Sequence, residues 1–299
     1  MISLKQLRYA LAAERHLHFR KAADEMAISQ SALSTALQEL EKQLGFQVFE
    51  RDNKKVLITA LGRRFLDQAQ RIQLELEDVM KLARSAQTPL CGELRLGMIP
   101  TVAPYLLPLL LPVVQQHYPD LQLTVVEDTS DQVLDQVRRG QLDSAVLALP
   151  FTHDGLLAFE FHQENFHWVT HRDDPAASRH RIQAKALQHA NLLLLSEGHC
   201  LKDHALAACR LPRQSPHSLS ATSLHTLVQM VAGGLGSTLV PEMALAQLVR
   251  HDERLTSLPL DEPGPHRRLA FCVRPNYPGL HEIEALRKLC RQTVSEHPA

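Results

Sequence analysis

Two cysteines nine positions apart, Cys200 and Cys209, are the residues whose type and spacing most directly suggest chemistry. They bound the segment Gly-His-Cys-Leu-Lys-Asp-His-Ala-Leu-Ala-Ala-Cys, residues 198–209. Oxidants react with thiolate rather than thiol, so a reactive cysteine needs a depressed pKa and some exposure. Cys200 follows Gly198-His199 at the expected start of a short helix, where the helix N-terminus favours an anionic sulfur. His199 is placed to add positive charge. If the intervening residues are helical, a rise of ~1.5 Å per residue holds the two Cα atoms ~13 Å apart. A disulfide needs them within ~7 Å. The pair can bond only if that segment unwinds, and a bond that requires refolding is a switch. The bland alternative is two small buried hydrophobes, since free cysteine is often buried.

The other titratable residues offer less. Cys91, Cys272 and Cys290 are irregularly spaced, without a CxxC pair, and read as hinge, strand and helix-face residues. A metal site from Cys200, His199 and His204 lacks ligand spacing among 17 scattered histidines. No Ser/His/Asp motif supports catalysis, and neither an enzyme nor a metal or other cofactor is expected. With 44% hydrophobic and 22% charged residues, the chain has the balance of a soluble globular protein. No run approaches the ~18 apolar residues of a membrane span, and Met1 to Arg8 lacks a signal-peptide core. A cytoplasmic protein with reduced thiols and no membrane partner is expected. Net charge is −1, yet residues 1–70 hold 11 Lys/Arg against 8 Asp/Glu. A mildly basic head on an acidic body fits nucleic-acid binding.

The elements that must position these residues follow from periodicity. Phe19, Ala22, Ala23 and Met26 give one apolar helical face, and Leu33, Leu37, Leu40 and Leu44 give the next, stopped by Gly45. Two helices joined tightly at Ile28-Ser29 form a helix-turn-helix pattern. The runs 48–51 and 56–59, around a turn at Asp52-Asn53-Lys54-Lys55, predict a hairpin, or wing. From Ala60 to Thr88, the series Phe65, Ala69, Ile72, Leu76, Val79, Ala83 is a coiled-coil seam on a long helix. The alternative is a helix packed on its own domain. A hinge is expected at residues 88–92. Beyond it, strands at 93–98, 121–127, 144–149, 166–171, 190–195, 237–240 and 269–273 alternate with helices at 105–117, 131–139, 222–232 and 243–249. That order predicts α/β lobes with a parallel sheet and a cleft between them.

At this point the segment Phe19 to Gly45, with Phe49-Glu-Arg51, Ile58-Thr59 and Gly62, resembles the DNA-binding head of LysR-type transcriptional regulators. Within that family, Gly97-Met-Ile-Pro-Thr101, Gly198-His-Cys-Leu-Lys-Asp203, Ala221-Thr-Ser-Leu224 and Arg267 resemble the OxyR-type peroxide sensors. The resemblance spans the chain. It implies a multidomain fold: an all-α winged helix-turn-helix head at 1–59, a linker and dimerisation helix at 60–88, and a regulatory region at 89–299. The last is a two-lobed α/β domain of periplasmic-binding-protein-like form, with lobe I at about 92–163 plus 268–299 and lobe II at about 164–267.

The resemblance implies, further, that Cys200 is peroxide-reactive and Cys209 resolving. Thr101 would hold peroxide, and so would a hydroxyl near residue 130, either Ser130 or Thr129. His199 and Arg267 would supply charge or hydrogen bonds, and Asp203 would help release the leaving water. Arg20, Lys21, Gln30, Ser31, Ser34, Thr35, Gln38, Arg51, Lys54 and Lys55 would meet double-stranded DNA, although the family's Arg or Lys near positions 35 and 38 is missing here. Implied partners are RNA polymerase, hydrogen peroxide as effector, and further copies of the chain: a homodimer through the linker helix, assembling to a homotetramer. The rival expectation keeps the architecture but places a small metabolite in the inter-lobe cleft, with the cysteines idle. A solute-binding or redox enzyme on the two-lobed domain is a third.

Overall fold

The computed structural model describes residues 1–52, 55–85, 90–187, 190–210 and 220–297, without the side chains of 51, 52, 55 and 83–85. Lys54 and residues 88 and 89 of the expected hinge lie outside the described residues, as do the side chains of Arg51, Lys55 and Ala83. Clustering of backbone contacts gives two units, Met1–Arg84 and Ser85–Ala299.

In the first unit, local signals set the element ends. Ser3 and Gln6 form a reciprocal capping box before α1 (Leu4–His16). His18 caps α2 (Phe19–Glu25), and Ser29 Oγ accepts from the Ala32 amide to start α3 (Gln30–Leu44). Gly45, at φ 74°, ends α3 in the left-handed region that glycine adopts without penalty. The strands β1 (Phe49–Asp52) and β2 (Lys55–Ile58) pair antiparallel as the expected wing. Glu41 Oε1 fastens that hairpin to α3 by accepting from the amides of Val48 (2.8 Å) and Phe49 (3.0 Å). Leu7, Leu11, Ala22, Ala23, Leu33, Leu37, Leu40, Phe49 and Leu66 share one core. Gly62 is required at the start of α4 (Ala60–Ser85), because a Cβ there would overlap the Val48 carbonyl.

Helix α4 divides the expected seam. Ala69 is buried in the head core and Phe65 packs against it, so this part serves its own domain. Ile72 and Val79, at 48% and 58% exposure, stand open. The seam is therefore not the uniform stripe that its spacing predicts.

The second unit has two lobes. In lobe I, β3 (Gly92–Met98), β4 (Leu121–Glu127), β5 (Ser144–Leu149), β6 (Leu157–Glu164) and β12 (Arg267–Val273) form a sheet in the order β4-β3-β5-β12-β6. Helices α5 (Ala103–His117), α6 (Ser130–Arg138) and α11 (Leu280–Glu296) contribute to its core. Strand β3 runs parallel to β4 and β5, whereas β12 is antiparallel to β5 and β6. The expectation of a parallel sheet is corrected to a mixed one. Strand β12 enters from the second lobe rather than by a crossover helix, which frees it from the parallel rule.

Lobe II departs further. Its three-stranded sheet, β7 (Phe166–His171) between β10 (Thr238–Pro241) and β11 (Leu255–Pro259), is wholly antiparallel. Among the described strands of this lobe, β8 (Leu194–Leu195) and β9 (Ser220–Ala221) pair parallel. The strand expected at 190–195 shrinks to β8, with Leu192 bridging to Ser237 alone. The helix expected at 243–249 is a 3₁₀ turn followed by α10 (Leu245–Leu248), and that expected at 222–232 starts later, as α9 (Leu224–Ala232). Strands β6 and β11 were not expected, nor was the four-residue α7 (Ala184–Leu187). Last comes α8 (Cys200–Ala208), with Cys209 as its C-cap.

Candidate functional site

The site begins with where three helices start. Thr101 lies two residues before α5, Ser130 is the first residue of α6, and Cys200 is the first residue of α8. Gly198, at φ 90°, makes the left-handed turn that leads into α8, with Thr129 beside it. Each helix N-terminus presents unpaired backbone N–H groups and a partial positive charge, which favours an anion or a developing negative charge.

Arg267, on β12, supplies a full charge there. Its Nε donates to Glu164 Oε1 at 2.7 Å, with both side chains completely buried. Its Nη1 donates to Thr101 Oγ1 at 3.2 Å and its Nη2 to the Thr101 carbonyl at 3.1 Å. Glu164 Oε2 accepts from the Met243 amide at 2.9 Å. The guanidinium is thus held on one side by a carboxylate and fixes Thr101 on the other. Two-point holding of this kind orients a fork-shaped cation.

Cys200 is only 3% exposed and joins the lobe I core. Burial pushes its thiol pKa up, which overturns the expectation of a depressed and exposed thiol. Three smaller influences act the other way: a hydrogen bond from Ser130, the charge of Arg267, and a backbone hydrogen bond at Ala148. Asp203, half-buried one turn on, raises it further. Ser130 is itself buried, and its Oγ has no conventional partner among the described residues, so the Cys200 sulfur is what it faces. Of the two hydroxyls left open by the sequence, Ser130 is the one beside the sulfur.

His199 does not add the expected charge. Burial lowers its pKa, which favours neutral imidazole, and its side chain does not cap α8. The next histidine was weighed only as a metal ligand, and its place in the fold was not expected. His204 is 3% exposed, and its Nε2 lies 2.8 Å from the Pro150 carbonyl. Glu164 was missed for the same reason: neither has a motif, and their burial depends on residues far away in sequence.

Cys209 belongs to the other core. It is 0% exposed and packs with Leu201, Ala205, Leu206 and Leu224 in lobe II. Burial and then Glu262 push its thiol up to about 12. All five cysteines are free. Nine helical positions apart, the two thiols lie beyond disulfide reach. The structure thus brings Thr101, Ser130, Cys200 and Arg267 together and leaves Cys209 apart.

The head is a second candidate site. Arg20, Lys21, Gln30, Ser31, Thr35 and Gln38 are exposed, and Ser34 is half-buried. Thr35 Oγ1 donates to the Ser31 carbonyl at 3.0 Å, and Ser31 Oγ lies 3.0 Å from Ser29 Oγ. Gln30 and Gln38 are the longest of these candidate side chains on α3.

Comparison with known proteins adds the following. The model of the bacterial regulatory helix-turn-helix protein, lysR family, matches residues 4–63, and that of the LysR substrate binding domain matches 87–295. A probable hydrogen peroxide-inducible genes activator of Streptomyces viridosporus is 40% identical over 298 residues, covering 99% of this chain and 96% of that protein. The HTH-type transcriptional regulator EstR of Acinetobacter baylyi is 37% identical over 298 residues, covering 98% of this chain and 97% of that one. A solved structure of full-length OxyR from Pseudomonas aeruginosa, carrying a cysteine-to-aspartate substitution, matches with a TM-score of 0.79 at 32% identity. It covers 97% of this chain and 98% of that one.

Proposed function

We propose that this chain, which belongs to the LysR family of bacterial helix-turn-helix regulators, senses hydrogen peroxide at Cys200 and transmits the change through a disulfide with Cys209. It is similar across nearly its whole length to a protein named as a peroxide-inducible activator and to an OxyR structure. The observation that carries the reading is the buried Cys200 sulfur beside Ser130 at a helix N-terminus, with Arg267 contributing positive charge and holding Thr101.

The steps balance as follows. Cys200 gives up its proton and its thiolate sulfur attacks one oxygen of hydrogen peroxide. The O–O bond breaks, leaving a sulfenic acid and a hydroxide that takes the proton to become water. Thr101 and Ser130 hydroxyls hold the peroxide, the helix N-termini and Arg267 stabilise the charge moving onto the leaving oxygen, and Asp203 helps release the water. Cys209 then attacks the sulfenic sulfur, the S–O bond breaks, and a second water leaves. The second step requires α8 to unwind. Closing so small a loop restricts the chain by about 2–3 kcal/mol in entropy models, similar to typical coupling energies of ~1–3 kcal/mol between sites. Cellular dithiols reset the pair.

The readout is transcription. The exposed polar residues of α3, with Arg20 and Lys21 of α2, approach double-stranded DNA, and the open Ile72 and Val79 of α4 pair with a second copy. Dimers associate to a tetramer whose arrangement changes on oxidation and alters RNA polymerase activity at antioxidant genes. The test is a disulfide map of full-length protein treated with sub-stoichiometric peroxide, read beside the reduced protein and a promoter assay. A 200–209 linkage that tracks the transcriptional response is expected. A full response without oxidation of Cys200 would return the rival reading, a metabolite in the inter-lobe cleft.

A further inference from the structure

One buried polar group in the sensor region has no part in the steps above. His204 lies four residues after Cys200, so both project from the same side of α8. Its Nε2 is 2.8 Å from the Pro150 carbonyl, which follows β5 of lobe I. A carbonyl only accepts, so Nε2 carries the hydrogen and Nδ1 carries the lone pair. That Nδ1 is buried and has no hydrogen-bond partner among the described residues. Cys200 also packs into the lobe I core, while Leu201, Ala205, Leu206 and Cys209 pack into that of lobe II. Helix α8 therefore bridges the two cores, and the His204 bond ties its second turn to lobe I.

We infer that His204 is a latch: a positioning residue that keeps α8 wound in the reduced protein and sets how fast Cys209 reaches an oxidised Cys200. The bond lies between the two cysteines, so bringing them together must break it. This rests on the disulfide reading above. It also gives the latch a pH dependence. Burial lowers the pKa of His204, opposed by the Pro150 bond; Arg267 on β12 lowers it further, and Asp203 on α8 raises it. In unwound, solvated chain the imidazole regains an ordinary value near ~6.5. A base whose pKa is lowered in the docked state stabilises that state fully above its unwound pKa and loses that advantage as pH falls from there through the docked pKa. Acid should release the helix.

The experiment follows 200–209 disulfide formation in full-length protein after one equivalent of hydrogen peroxide, with mass mapping at quenched times. His204→Leu keeps the site apolar and removes the bond; closure should be roughly three- to tenfold faster, the range for one net hydrogen bond. Its reduced α8 amides should exchange faster with deuterium. His204→Gln can donate to the same carbonyl and should close near the wild-type rate at pH 7.5. The ratio of wild-type to Gln closure should rise between pH 7.5 and 5.5, since thiol titration cancels in the ratio. Wild-type closure of the disulfide with unchanged rates in both variants at every pH overturns the latch alone. Oxidation of Cys200 that never leads to the 200–209 link overturns the disulfide reading and the latch together. If the Leu variant does not fold, a flat wild-type-to-Gln ratio by itself overturns the latch.

Discussion

The two ends of α8 are equally buried yet chemically unlike. At the N-terminal end, Cys200 has Ser130, Arg267 and backbone N–H groups to receive a negative charge. At the C-terminal end, Cys209 is surrounded by leucine and alanine, and the ionisable group that influences it, Glu262, makes thiolate harder to form. Exposure does not distinguish them. Prepared polar contacts do, and the proposed order of reaction, Cys200 before Cys209, rests on them. In the proposed sequence, Cys209 becomes a nucleophile only on leaving its core. A nucleophile that is inert until it moves keeps the second step from preceding the first.

That contrast can be broken or sharpened by experiment. The largest effect belongs to Cys200→Ser, expected to abolish the transcriptional response to peroxide while duplex binding in a shift assay persists. An intact response would end the contrast. Next, Arg267→Met leaves the fully buried Glu164 unpaired, and denaturant unfolding should show a loss of about 3–5 kcal/mol. Adding Glu164→Leu should recover most of that stability without restoring the rate of Cys200 oxidation. A recovered rate would mean that Arg267 acts only structurally.

Third, burial raises the Cys200 pKa, so its peroxide reaction should accelerate as pH rises from 7 to 9, following the thiolate fraction. A plateau below pH 7 in stopped-flow traces would show that the polar contacts outweigh burial. The smallest effect is expected from Cys209→Ser. It places a hydroxyl in an apolar core and should cost about 1–3 kcal/mol, read as a lowered Tm. Cys200 should still form a sulfenic acid that a dimedone probe traps. Failure to form it would mean that the two ends do not act in sequence.

Local features of the molecule were readable from sequence. The Ser29 cap, the Leu33/Leu37/Leu40 face and the Gly45 stop define α3 through short-range chemistry. The same holds for the start of α8 after Gly198. What escaped depends on distant partners. Strand β12 looks like any apolar run, and its reversed direction follows from entering after a whole second lobe. Glu164 has no distinctive neighbours and His204 lies just past the Gly198–Asp203 motif, so their partners, Arg267 and Pro150, appear only from elsewhere in the chain. The Cys200 environment was half legible. Its polar company was anticipated through the resemblance, whereas the burial that raises its pKa comes from packing in lobe I.

The depth of both sulfurs has one more consequence. With Cys200 at 3% exposure and Cys209 at 0%, burial predicts that the folded protein sorts electrophiles by size. A molecule of two heavy atoms can permeate a close-packed interior that excludes a tripeptide disulfide or a bulky alkylating agent. Selectivity of this kind needs no recognition pocket. Sieving by the protein matrix is the consequence that this depth predicts for both thiols.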